Sequence, residues 1–257
     1  MKKHYTSSGD TQRAGFLDEV RGFAILCMVV YHAMFILKNF YKVDIPLLFD
    51  DWFYIVRDIF AGAFIFISGI VCRYSSNNLK RGTLCFFLGM AVTFISAVAS
   101  PPNTILFGIL HLLGICMMIF GVSEKALDKL PTLVGIGLFV LLFALTWDLR
   151  RGTIGFFGLN FADIPRRLYD VYWLFPLGFR GRSFGSADYF PLMPWAFLFL
   201  AGTYFGVFVK NGDCPRFFYT TRVRFLASTG RYTLWIYVLH VPIILAILWA
   251  IFGYLPI

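Results

Sequence analysis

The segment RGFAILCMVVYHAM, residues 21 to 34, opens an apolar run with an arginine and sets a histidine in its middle. Eleven residues separate Arg21 from His32. On a helix that is about three turns and about 16 Å of rise. Eleven steps of about 100° return almost to the starting face. The two side chains therefore look the same way, one at the boundary of an apolar layer and one deep inside it. A histidine at that depth needs a partner even when neutral. Two chemistries fit. One is a core histidine bonded to a neighbouring helix. The other is an imidazole taking a proton in a polar cavity, work that suits its near-neutral titration. An arginine about 16 Å away on the same face is placed to grip a phosphate while a long flexible arm reaches the histidine. Coenzyme A has that shape, with phosphates at one end and a thioester at the other.

Other polar side chains also interrupt apolar runs. Asp58, in WFYIVRDIFAGAFIFISGI, is either an ion-pair partner of Arg57 or a carboxylate that orients His32 or an acceptor amine. His111, in FGILHLLGI, divides evenly between packing and site. His240, in WIYVLHVPI, is read as structural, satisfying a backbone carbonyl freed by Pro242. Ser68-Gly69 is read as a close helix contact through small residues. In DYFPLMPW, Asp188, Tyr189 and Trp195 form a plausible sugar-binding rim, although a cap and an aromatic belt are the plainer explanation. Arg231 either snorkels or offers a second phosphate grip. Asp18 is expected to cap the first helix and to pair with Arg21.

These residues must be held by membrane-spanning helices. Of 257 residues, 59% are hydrophobic and only 14% charged, with mean hydropathy +0.73, whereas a soluble domain is about a quarter charged. The excess is spread over seven runs, near 22–38, 53–72, 82–99, 104–121, 131–148, 190–209 and 232–253, of the length a bilayer requires. The fold class expected is all-α and polytopic, with about seven to eight transmembrane helices around a central cavity. An eighth or re-entrant helix is expected near 168–179, inside the arginine-rich connection 149–189. No repeat or linker divides the chain, so 1–257 reads as one domain with a polar N-terminal segment, 1–20. That segment lacks the apolar stretch of a signal peptide, and insertion is expected to rely on the first span. The bias of Lys and Arg favours the N-terminus inside. The net charge of +9 is assigned to topology and lipid headgroups, not nucleic acid. The five cysteines, Cys27, Cys72, Cys85, Cys116 and Cys214, form no CxxC and read as core residues. There is no GxSxG, Walker loop, HExxH or dinucleotide fingerprint, so a serine hydrolase, an ATP-driven pump and a metalloprotease lack support. No metal is expected.

Five stretches carry a resemblance. LDEVRGFAILCMVVYH, DIFAGAFIFISGI, FGILHLLGI, DYFPLMPWAFLFLAG and FLASTGRYTLWIYVLHVPI resemble, in that order, the heparan-alpha-glucosaminide N-acetyltransferase catalytic-domain family in its short bacterial form. The likeness runs from about Arg13 to Pro242. The arginine–histidine pair of the first span is also typical of the related acyltransferase-three membrane proteins. The resemblance implies an integral-membrane acyltransferase of the bacterial inner membrane, N-terminus cytosolic. It would take acetyl-CoA as donor from the cytosol and modify a sugar amine or hydroxyl on a glycan or amino sugar. It carries Arg21, His32, Asp58, His111, Asp188 and Trp195 over as site residues. The family's lysosomal form has asparagine where this chain has His32, which fits the acyltransferase-three pattern better.

The combined expectation makes His32 the base or acyl carrier, Asp58 and His111 its orienting or relaying partners, and Arg21 with Arg231 the coenzyme grip. Asp188, Tyr189 and Trp195 would meet the acceptor. The expected partners are a small-molecule or glycan acceptor and the lipid bilayer. Whether the chain acts alone or as a homodimer is open. The rival reading is a proton-coupled transporter or channel with His32 and Asp58 as relay.

Overall fold

The computed structural model describes residues 14–46, 51–156, 158–182 and 184–254. Lys2, Lys3 and Arg13, which contribute to the Lys and Arg bias that favours the N-terminus inside, lie outside them. Among the described residues, seven helices are long and apolar enough to cross a membrane. They are α1 (Gly15–Asn39), α2 (Asp51–Cys72), α3 (Asn78–Ala99), α4 (Ile109–Leu127), α5 (Thr132–Leu145, its span continued to Arg151 by a 3-10 turn), α6 (Leu192–Asn211) and α8 (Thr233–Phe252). Each coincides with one of the seven apolar runs. The chain is an all-α integral membrane protein. Successive spans alternate in direction, most joined by short links and α5 to α6 by the long connection 146–191. The bundle therefore has a near end, where α1 begins, and a far end, where α1 finishes.

Close packing comes from glycines that let backbones touch. A Cβ on Gly69 of α2 would lie 2.1 Å from the Phe199 carbonyl oxygen of α6, and one on Gly202 of α6 would lie 2.1 Å from the Phe66 oxygen. Gly82 and Gly114 do the same between α3 and α4. Around these contacts Ile65, Leu112, Phe120 and Phe199 are fully buried. Arg73, just past α2, is buried and ties three elements together. Its Nε donates to the Thr203 carbonyl at 2.9 Å and its guanidinium to Asp128 at 2.6 Å.

The eighth helix is not where the sequence suggested. Between residues 164 and 181 there are only two short 3-10 turns, Arg166–Leu168 and Tyr172–Leu177. Pro176 and the left-handed Gly178 (φ 118°) stop the second turn from extending. The same far-end connection contains an antiparallel hairpin, β1 (Thr153–Phe156) and β2 (Leu159–Asp163). The eighth helix is instead α7 (Arg224–Arg231) at the near end. It lies on α1 through Gly22 and Gly230; a Cβ on Gly230 would sit 1.9 Å from the Asp18 carbonyl oxygen. Glu19 of α1 accepts backbone N–H groups from Arg222 and, at 2.8 Å, Val223, holding the start of α7. Asp18 is not the cap of α1. The helix begins at Gly15 with Ala14 before it, so Asp18 lies inside the first turn, where its charge suits the helix N-terminus. Its carboxylate stands 4.0 Å from Arg231.

Candidate functional site

A cavity of about 470 Å³ opens among α1, α2, the start of α6, α8 and the segment Ala187–Phe190. Its polar lining comes from Tyr31, His32, Arg57, Asp58, Arg150, Asp188, Tyr189 and Tyr237. The rest is apolar.

His32 reaches this cavity from the middle of α1. Its Nδ1 lies 3.0 Å from the Met28 carbonyl oxygen, one turn back. A carbonyl can only accept, so Nδ1 carries the hydrogen and Nε2 of the neutral ring keeps the lone pair. His240 of α8 stands beside it, ring centroids 4.8 Å apart. The same logic applies there. His240 Nδ1 faces the Tyr237 carbonyl oxygen at 2.5 Å, and its buried Nε2 has no hydrogen-bond partner among the described residues.

The far wall is built by the segment before α6. Ala187 N donates to Thr104 O at 3.2 Å and Phe190 N to Phe107 O at 2.9 Å, fixing the residues between them. Asp188 accepts from the Tyr237 hydroxyl at 2.9 Å. Its carboxylate lies against Gly108, at the start of α4, where a Cβ would come within 2.9 Å of the oxygen. A negative group at a helix start is well placed. Tyr189 donates to the Phe175 carbonyl at 2.5 Å. Burial pushes its phenol up to about 12 against the pull of Arg180 and Arg150, so it remains a neutral donor. Arg57 binds Asp58 through two nitrogens, at 2.7 and 3.0 Å.

A second cavity of about 240 Å³ lies toward the near end. Arg21, Arg81, Ser68 and Thr233 are among its lining residues. Arg21 donates to the Thr233 hydroxyl at 2.8 Å, and its guanidinium stands over the Phe64 ring at 5.7 Å. The two cavities share three wall residues, Phe64, Ile109 and Tyr237. One side of this partition carries two arginines. The other carries His32 and a ring of acids and bases.

Residues 13–242 of the 257 match the profile of the heparan-alpha-glucosaminide N-acetyltransferase catalytic family. The chain belongs to that family. Neither a curated protein nor a solved structure matches it.

Within this family member the expected site residues fall into three groups. His32, Asp58, Asp188, Tyr189 and Trp195 line the larger cavity. Trp195 does so as a buried wall, packed on Phe143, Trp147 and Phe190. Arg21 lines the smaller cavity and His32 the larger, and the two cavities adjoin at Phe64, Ile109 and Tyr237. His111 and Arg231 line neither. The His111 ring is held between Phe107 and Phe86 and against Gly89. Arg231 is half exposed beside Asp18. Residues at the site not singled out as site residues from the sequence include Tyr237, Arg57, Arg81, Arg150, Thr233 and, as a neighbour of His32, His240. Tyr237 and His240 share a helix turn in the resembling stretch GRYTLWIYVLHVPI, and that was the available signal.

Proposed function

We propose that this protein is an integral-membrane acyltransferase. It moves an acetyl group from cytosolic acetyl-CoA to a sugar amine or hydroxyl on a glycan or amino sugar presented at the other face. The observation that carries this reading is the partition of Phe64, Ile109 and Tyr237 common to both cavities. A donor held in the near cavity and an acceptor held in the far one would meet where these three residues line both.

The near-end cavity suits the donor. Arg21 and Arg81 offer two guanidiniums and Ser68 and Thr233 two hydroxyls, a set matched to phosphates. The near end carries Arg73, Lys80 and Arg81 after α2 and Lys210, Arg216, Arg222 and Arg224 after α6. That bias supports a cytosolic near end, with the six arginines of the 149–189 connection as the exception, and the bacterial inner membrane is the setting the family's short form implies.

The far cavity suits the acceptor. His32 Nε2 takes the proton of the acceptor O–H or N–H while the acceptor's lone pair attacks the thioester carbonyl carbon. Collapse breaks the C–S bond, and the imidazolium returns its proton to the leaving thiolate. The products are the ester or amide and free coenzyme A. A covalent acyl-histidine would use the same nitrogen. Asp188 and Asp58 face the acceptor as carboxylates able to hold its hydroxyl or ammonium groups, with Tyr189 and Trp195 as further walls. Arg231 and His111, outside both cavities, are assigned support of α1 and of the α4 start.

Back-to-back cavities also fit a proton-coupled transporter, with His32 and Asp58 as relay. Purified protein given acetyl-labelled coenzyme A and amino sugars separates the two. The acyltransferase reading predicts label covalently bound to the sugar. Unmodified sugar carried across a proteoliposome would overturn it.

A further inference from the structure

The larger cavity is oddly built for a water-soluble sugar. Its charged groups, Arg57, Asp58, Arg150 and Asp188, gather at the far end. Most of the remaining lining comes from α1 (Phe23 to Met34) and α2 (Phe53 to Phe64), and it is mainly apolar. Two aromatic pairs bridge the cleft between these helices. Phe23 meets Phe60 at 5.5 Å and Tyr31 stacks on Phe53 at 5.8 Å. Phe23 and Tyr31 are eight residues apart, so the pairs are about 12 Å apart along α1. Two of the α1 residues that line it, Phe23 and Val30, are 47% and 56% exposed. In a bilayer their exposed surface meets lipid tails. The cleft is therefore open sideways to the hydrocarbon layer, while its charged end faces the headgroup region.

Given the acyltransferase reading, we infer that the acceptor is a membrane-resident amphiphile: a sugar attached to a hydrocarbon chain. The chain enters between α1 and α2. The sugar sits among Arg57, Asp58, Arg150 and Asp188, within reach of His32. The arrangement matches a molecule polar at one end and apolar at the other. The mixed charge at the far end matches a headgroup carrying both an amine and an anionic group. A free sugar would use only the charged end and would leave the apolar cleft without an occupant.

The test compares dodecyl glucosaminide with methyl glucosaminide, one headgroup with and without a chain, in nanodiscs with acetyl-CoA. The expected result is a KM at least tenfold lower for the dodecyl compound, with Val30→Trp narrowing that ratio to near unity. Partition into the bilayer alone would lower the apparent KM equally in both proteins, so a ratio that Val30→Trp leaves intact overturns the proposal. Should neither compound be acetylated, the acyltransferase reading loses ground but the cleft is still tested. A photoreactive (diazirine) dodecyl glucosaminide is then crosslinked and its sites mapped. Label concentrated on 23–34 and 53–64, displaced by dodecyl but not methyl glucosaminide, supports the cleft. Label spread equally over other lipid-facing residues such as Phe94 and Val98 overturns it.

Discussion

The imidazoles of His32 and His240 stand 4.8 Å apart, contributed by helices more than two hundred residues distant in sequence. Each turns Nδ1 toward a carbonyl of its own helix, at 3.0 Å for His32 and 2.5 Å for His240. Each is thus fixed in the tautomer that leaves Nε2 basic. Two rings so close do not both carry charge cheaply, which keeps one of them available as a base.

This relationship separates two substitutions. His32→Ala removes the proposed base, and acetyl transfer should fall about 10²- to 10⁴-fold while coenzyme A binding persists. His240→Phe keeps a ring against His32 but removes its nitrogens. It should lower kcat about tenfold, a moderate share of what a general base supplies, with little change in donor binding. Steady-state rates on the two variants, with binding measured in parallel, decide this. Equal rates for wild type and His32→Ala would remove His32 from the chemistry.

Tyr237→Phe tests the partition. The hydroxyl donates to Asp188 at 2.9 Å, and its loss leaves a carboxylate short of one donor. The expected cost is about 1–3 kcal/mol, read as a lower melting midpoint. A raised KM for the acceptor, larger than any change for acetyl-CoA, should accompany it. A change confined to acetyl-CoA would put Asp188 on the wrong side.

Gly230→Ala tests the near-end scaffold. Its Cβ would fall 1.9 Å from the Asp18 carbonyl oxygen, so α7 must move off α1. Overpacking of this kind costs about 1–3 kcal/mol. Because Thr233 follows directly and accepts from Arg21, weaker coenzyme A binding should accompany the drop in midpoint. An unchanged midpoint would contradict the α1–α7 contact.

Much of this was legible in the sequence. The seven spans follow from the length and apolarity of their runs. What was not legible depends on contacts between distant segments. The α7 helix is eight residues long and is held by the Glu19 carboxylate and by Gly22 against the backbone, and nothing in its own sequence requires that. Tyr237 and His240 become site residues only because α8 lies across α1. His111 had the same apparent credentials as His32, an imidazole within an apolar run. It is set apart because Gly89 and two phenylalanines close around it.

Glu19 gives a graded test of that near-end anchoring. Glu19→Ala leaves the N–H groups of Arg222 and Val223 without their carboxylate acceptor, at about 0.5–1.5 kcal/mol per lost hydrogen bond. Glu19→Gln retains a carbonyl oxygen and should cost clearly less. Thermal unfolding of the two variants should rank them in that order.

The central claim is that Arg21 grips the donor and His32 performs the chemistry, on opposite sides of one wall. Its most direct test is thermal stabilisation of the purified protein by coenzyme A, in wild type, Arg21→Ala and His32→Ala. A ligand that binds only the folded state stabilises it by about 2.7 kcal/mol at a hundred times Kd. The account predicts stabilisation of wild type and His32→Ala and its loss in Arg21→Ala. Equal stabilisation of all three, or none in well-folded wild type, would contradict it.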